Sequence, residues 1–285
     1  MTRQPLRRIV VWTDGSAESA GAAGWAARHA TARALPLHVL HFPRVSVPVA
    51  MAAAGSAAAD GSAVTDHSAL DVVETAEDVR RIQARHHGLS VSVEVVQDGR
   101  RWPDRTLLGT GDVLVTGLNG FIELAVHATA DETSAHAHLP APVVVVPETE
   151  APAPRERRVL LLTGPRLSSA TAAFAFSVAA DLGAALDSVR IAPQDGAFGE
   201  DYWTAIARSS YLTETRLQAE LARLRARFPG VPGSSSTLRT RPWTTLRTMA
   251  RTAHLAVLGG GPEMATDLRV LLDLGACPIA VVPEP

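Results

Sequence analysis

Short apolar runs alternate with longer stretches of helical period along the whole chain. This is the rhythm of βαβ units, in which a parallel sheet is covered by helices on both faces. In the first part the pattern predicts strands near 8–13, 36–42, 91–97, 112–116 and 142–147, with helices near 16–33, 67–87, 102–109 and 121–137. In the second part it predicts strands near 157–163, 186–192, 235–240, 254–259 and 278–283, with helices near 168–182, 202–227, 243–252 and 263–275. Ser16 precedes an Ala-rich run and has Glu18 two residues on, which reads as a helix start. Ser168-Ser169 holds the equivalent place in the second part.

The two parts repeat each other. Arg7-Arg8-Ile9-Val10-Val11-Trp12-Thr13 returns as Arg157-Arg158-Val159-Leu160-Leu161-Leu162-Thr163. Asp112-Val113-Leu114-Val115-Thr116-Gly117 returns as His254-Leu255-Ala256-Val257-Leu258-Gly259. Pro142-Val143-Val144-Val145-Val146-Pro147 returns as Pro278-Ile279-Ala280-Val281-Val282-Pro283. A unit this long is a duplicated domain rather than a short solenoid repeat. The organisation expected is a domain over 1–148, a Pro-rich linker over 149–156 and a second domain over 157–285. Residues 44–66 read as a long loop, with a possible helical turn at Met51-Ala52-Ala53-Ala54.

Composition removes several functions. Net charge is −2 and the pI near 6.6, which gives no electrostatic case for nucleic acid. All 27 basic residues are Arg, so every Lys-dependent motif is excluded: the P-loop, a Schiff-base lysine, a kinase-type lysine. Cys277 is the single cysteine, which excludes an intramolecular disulfide and a cysteine-based metal cluster. No Gly-x-Ser-x-Gly elbow and no Gly-x-Gly-x-x-Gly fingerprint occurs. No targeting or membrane segment is visible, and the expectation is a cytoplasmic chain with neither membrane nor nucleic-acid partners.

The opening Ile9-Val10-Val11-Trp12-Thr13-Asp14-Gly15-Ser16, followed by Ala22-Ala23-Gly24-Trp25-Ala26-Ala27, resembles the start of the universal stress protein family. Leu35-Pro36-Leu37-His38-Val39-Leu40-His41, Val93-Glu94-Val95-Val96, Asp112 to Gly117 and Ala141 to Pro147 resemble the family's later strands, and Ala276 to Pro283 repeats its ending. The resemblance implies two tandem open α/β sandwiches, each with a mostly parallel five-stranded sheet, of the adenine-nucleotide alpha hydrolase-like kind. It also implies an internal pseudo-dimer through the two last strands, with a homodimer as a further possibility.

Nucleotide-binding members hold ATP at the carboxyl ends of the strands. The resemblance assigns the adenosine part to an Asp after the first strand. It assigns the phosphates to Gly, two residues, Gly, nine residues, then Gly with Ser or Thr. Glycines let backbone amides approach an anion, and a helix N-terminus adds partial positive charge. Here Asp14 with Gly15, Gly117 and Gly120 match, and form the candidate cofactor-binding set for ATP or AMP. After the nine residues Phe121 to Thr129 stand Ala130 and Asp131, then Glu132, where the family has Gly and a hydroxyl residue. A carboxylate roughly 5 Å from a phosphate costs on the order of 3 kcal/mol at an effective dielectric of 20. That is about two orders of magnitude in affinity. Trp12 shares strand parity with Asp14 and would fill part of the adenosine pocket, stack on the base, or sit in the core. In the second copy Thr163 is followed by Gly164-Pro165, and Gly259-Gly260-Gly261-Pro262 lacks the spacing, so that copy is expected not to bind ATP.

His127, His136 and His138 do not have the spacing of a metal site, and no metal is expected. Asp131-Glu132 point apart on a helix and read as a solvated face rather than an acid–base pair. His86-His87 at a helix end read as partners of the helix dipole or solvent. Leu212, Leu217, Leu221 and Leu224 mark the apolar side of a helix whose other side carries Arg216, Arg223, Arg225 and Arg227. The function expected is a non-catalytic, universal-stress-type role in ligand binding or regulation, with ATP binding weak or lost. The alternative is an adenine-nucleotide binding module with one site, in the first domain.

Overall fold

The computed structural model describes residues 6–42, 77, 79–96, 107–109, 111–122, 141–147, 157–163, 168–191, 215–238, 242–259 and 277–283. Its centre is one ten-stranded sheet. The first half supplies β1 (Arg8–Thr13), β2 (Leu37–His41), β3 (Val91–Val95), β4 (Asp112–Gly117) and β5 (Val143–Val146). The second supplies β6 (Arg158–Thr163), β7 (Ala185–Ile191), β8 (Gly233–Leu238), β9 (Leu255–Gly259) and β10 (Ile279–Val282). Their spatial order is β3-β2-β1-β4-β5-β10-β9-β6-β7-β8. Each half has the same internal order, and every pairing is parallel except the central one. There β5 meets β10 antiparallel, with Ile279 opposite Val145, Ala280 opposite Val144 and Val281 opposite Val143. The two proline-bounded apolar runs thus close each other's open edge.

Strand parity divides the core. Ile9, Val11, Val39, Val115, Val144 and their counterparts Val159, Leu161, Val257, Ala280 and Val282 face one side. Val10, Trp12, Leu114, Val143, Val145, Leu160, Ala256, Leu258, Ile279 and Val281 face the other. Each layer is a single cluster that runs through both halves. On the first side lie α1 (Ala17–Ala32), α2 (helical residues 79–85), α4 (Ser169–Leu182) and α5 (helical residues 215–227). On the second lies α6 (Pro242–Thr252), through Leu246 and Ala250, together with Phe121 of α3 (helical residues 118–122). Leu217, Leu221 and Leu224 of α5 are buried, as its amphipathic pattern requires.

The helix signals act as read. Ser16 is the N-cap of α1 and accepts from the Ser19 amide at 3.2 Å; Ser168 caps α4 and accepts from the Ala170 amide at 3.2 Å. Ala22, Ala23, Ala26, Ala27 and Ala30 give α1 a thin buried face, so its axis lies close on the sheet. Both helices end through a left-handed residue, Ala34 (φ 50) in the first copy and Gly183 (φ 58) in the second.

Some elements differ from expectation. Residues 107–109, expected to end a helix, are a turn and irregular chain. The Gly109 amide there donates to Asp112 Oδ2 at 2.7 Å and Arg8 Nη2 donates to the Leu107 carbonyl at 2.8 Å, so tertiary partners take the groups a helix would have used. β8 begins two residues early because Gly233 lies against the Leu186 carbonyl, where a Cβ would overlap it. The helical turn after β4 starts at 118 rather than 121. The helix expected over 263–275 lies outside the described residues, as do the whole of 44–66 and the whole of the linker 149–156.

The copies diverge at one buried ion pair. Arg8 lies 2.8 Å from Asp112, which is almost wholly buried on β4. The position matching Asp112 in the second copy is His254, and Arg158 turns instead to Asp187 on β7, at 3.0 Å. Asp112→Ala is expected to cost about 1.5 kcal/mol, since it strands the Gly109 amide and a half-covered guanidinium. Urea unfolding checks this; an unchanged midpoint removes the pair from the fold's support.

Candidate functional site

The matched residues converge where β1 and β4 end side by side. Gly15 follows β1 with φ +78, a conformation that L side chains rarely adopt. It turns the chain so that Asp14 faces back over the start of α1. Asp14 Oδ1 accepts from the Ser16 amide at 3.0 Å and from the Ser16 hydroxyl at 2.5 Å. Ser16 Oγ in turn accepts from the Ser19 amide. The carboxylate that the family resemblance assigns to adenosine therefore fastens the N-terminus of α1.

Gly117 is the last residue of β4, and Gly120 lies in α3. Both are packed against side chains. A Cβ on Gly117 would stand 2.8 Å from Glu18 Cγ and 2.9 Å from Glu18 Oε1. Glu18, in the first turn of α1, accepts from the Asn119 amide at 2.9 Å through Oε1 and from the Asn119 side-chain Nδ2 through Oε2. The anion that this glycine turn holds is thus the protein's own carboxylate. A Cβ on Gly120 would overlap Thr116 Oγ1 and the Trp12 ring. Trp12 is buried, with its ring 6.0 Å from that of Phe42, centroid to centroid. Of the three expectations for this indole, the structure gives the core position, and the ring covers the same glycine turn from below.

In the second copy Thr163 Oγ1 donates to the Val189 carbonyl at 3.3 Å and is buried, and Gly259 ends β9. Gly164, Gly260, Gly261, Asp131, Glu132, His127, His136 and His138 lie outside the described residues. Among the described residues no group of three or more His, Cys, Asp or Glu comes together. Burial pushes the Cys277 thiol up to about 12, which keeps it protonated and unreactive at neutral pH.

The model of the universal stress protein family matches residues 5–147, just over half of the chain. The chain belongs to the universal stress protein family. Membership of the family supports a role in stress response. No curated protein matches the chain. Among solved structures it is similar to a universal stress protein from Archaeoglobus fulgidus DSM 4304, at 11% identity and TM-score 0.54, over 98% of this chain and 97% of that one. It is also similar to a functionally unknown protein, PA1789 from Pseudomonas aeruginosa PAO1, at 16% identity and TM-score 0.49, over 98% of this chain and 93% of that one. Universal stress protein UspA from Lactobacillus plantarum matches 45% of this chain and 99% of its own length, at 16% identity and TM-score 0.34. At these identities the likeness concerns the fold, which in the Archaeoglobus protein extends along nearly the whole chain. No helix among the described residues is long and apolar enough to cross a membrane.

Sequence reading placed Asp14, Gly15, Gly117 and Gly120 in one neighbourhood, and the structure brings them together. It missed Glu18, read only as an acid favourable in a helix's first turn. Nothing in the local sequence says that this carboxylate reaches Asn119, 101 positions away. It also missed a buried cluster where the halves meet. His29 stacks on Trp25 with centroids 3.7 Å apart, and its Nε2 lies 3.2 Å from His254 Nε2. Burial above all, then the charges of Arg33, His254 and Arg28, hold His29 down to about 2.

Proposed function

We propose that this universal-stress-type chain is a non-catalytic, cytoplasmic protein with a ligand-binding or regulatory role. In this reading its first half no longer holds ATP well. The observation that carries the reading is the Glu18 carboxylate on Asn119 and over Gly117. A phosphate entering this turn must displace a group of its own charge that already satisfies the donors. If both stayed, roughly 5 Å apart at an effective dielectric of 20, repulsion would be on the order of 3 kcal/mol. Trp12 beneath Gly120 and Asp14 tied to Ser16 support the same reading, because Asp14 and the Gly117–Gly120 turn already have internal partners. The protonated, buried Cys277 supports the absence of a cysteine nucleophile.

Calorimetry with ATP, ADP and AMP tests this. The parent chain is expected to bind ATP weakly, and Glu18→Ala to bind it at least tenfold more tightly at low salt. Tight ATP binding by the parent that is lost in Asp14→Ala would instead establish the adenine-nucleotide module. An unchanged affinity in Glu18→Ala would move the cause away from this carboxylate.

A further inference from the structure

A cavity of about 530 Å³ lies between α1 and α2, on the opposite side of the sheet from Trp12. Its volume is that of small-molecule sites. It exists because four of the five residues that α1 presents there, Ser19, Ala20, Ala23 and Gly24, are small; a Cβ on Gly24 would have no neighbour nearer than Arg28 Nη1, at 3.7 Å. Val39 from the sheet and Ile82 from α2 complete an apolar wall.

Thr13, Ser19 and Val79 also line the cavity, and the rest of the lining is Arg and His. Arg28 comes from α1, and Arg81 and Arg85 come from α2, with His86 just beyond its end. Three guanidinium groups thus share one cavity in a chain whose net charge is −2. Arg81 also pairs with Glu77 at 2.9 Å, and Arg85 makes no ion pair among the described residues. The orientation of His86 follows from its neighbours. Thr31 Oγ1 donates to the Ala27 carbonyl at 2.8 Å, so it accepts the His86 Nδ1 proton, 3.2 Å away. That contact fixes the ring at the cavity wall and commits Nδ1 elsewhere, leaving Nε2 for another partner.

We propose that this cavity binds a small amphiphilic anion: an apolar body against Ala20, Ala23, Val39 and Ile82, with one carboxylate or phosphate head on the arginines. Guanidinium forks match both heads, bidentately and with charge-assisted hydrogen bonds. Thr13 and Ser19 are next in sequence to Asp14 and Glu18, so the site adjoins the Asp14–Gly117 neighbourhood; the arginines that would hold the head belong to neither that turn nor its glycines.

Titration calorimetry on the full chain at low salt uses octanoate, octyl phosphate and octanol. One or both anions are expected to bind, the preferred one identifying the head, and octanol at least tenfold more weakly. The double variant Arg28→Gln/Arg85→Gln is expected to lose at least tenfold in affinity for the anion. Ala20→Leu, on the exposed edge of α1, is expected to fill the cavity and weaken binding while the thermal transition stays in place; it decides the matter if the arginine variant unfolds. Glu18→Ala is expected to leave anion binding unchanged. The proposal is overturned if neither anion binds at millimolar concentration, if octanol binds as well as the anions, if Ala20→Leu binds as the parent does, or if ATP displaces the bound anion.

Discussion

Ala280→Pro is expected to destabilise the whole chain by about 3 to 5 kcal/mol, in one transition rather than two. Ala280 is fully buried at the middle of β10, between Val144 of β5 and Val257 of β9. Proline removes its amide donor and places a ring in the plane of the ladder, where a central strand has no room for it. The effect spreads because neither core layer stops at the joint: Val144, Ala280 and Val257 belong to one cluster, Val143, Ile279 and Leu258 to the other. Ala280→Gly keeps the amide and is expected to cost no more than about 1 kcal/mol. Urea unfolding followed by circular dichroism and by tryptophan emission measures both. Three of the five tryptophans, Trp12, Trp25 and Trp102, belong to the first half and two, Trp203 and Trp243, to the second, so emission follows both. A proline variant that unfolds in two transitions, one of them at the parent's midpoint, would show that one half stands without the joint.

Acid is expected to weaken the fold through His29, by about 2 kcal/mol between pH 7 and pH 5. The folded state holds His29 down to about 2, by burial first and then by Arg33, His254 and Arg28, against 6.5 when unfolded. The unfolded chain therefore binds a proton that the folded chain refuses. The stability that the neutral ring contributes is complete above about pH 6.5. It is lost as pH falls below that value, at up to about 1.4 kcal/mol per pH unit, until the folded value is reached. The surroundings reinforce the sign: Arg33 at the end of α1 is itself lowered by burial, and Asp181 of α4, 3.8 Å from it, is its described counter-charge. His29→Phe keeps the stack on Trp25 and removes the titration. Its urea midpoint is expected to change less than half as much as the parent's between pH 7 and pH 5. Equal slopes in parent and variant would assign the acid sensitivity to other groups.

The sequence by itself determined the architecture. The inner strands were legible because a strand buried on both faces is written as an uninterrupted apolar run, and Val143 to Val146 or Val159 to Leu162 admit little else, whereas the edge strand β3 showed only as the alternating Val91, Val93 and Val95. The copy-to-copy repeat made the order within each half readable, and proline on both sides of β5 and β10 marked the ends that meet. The neighbourhood of Asp14, Gly15, Gly117 and Gly120 was legible for the same reason: strand ends in a parallel sheet gather on one edge. β8 was legible less well, since an edge strand of Gly and Ser carries no hydrophobic alternation, and its start was set by the close approach of Gly233 to Leu186.

Only the tertiary structure decided what occupies that edge. Whether a glycine turn stays open to an anion depends on which side chain the fold carries to it, and Glu18 and Trp12 come from elements distant in sequence from Asn119 and Gly120. The same holds for His29 beside His254, 225 positions apart, and for the arginines of α1 and α2 around one cavity. Hydrophobic period is a local property of the chain and can be read one segment at a time. The partner of a charge or of an imidazole is set by distances through space, which exist only once the sheet has brought the segments together.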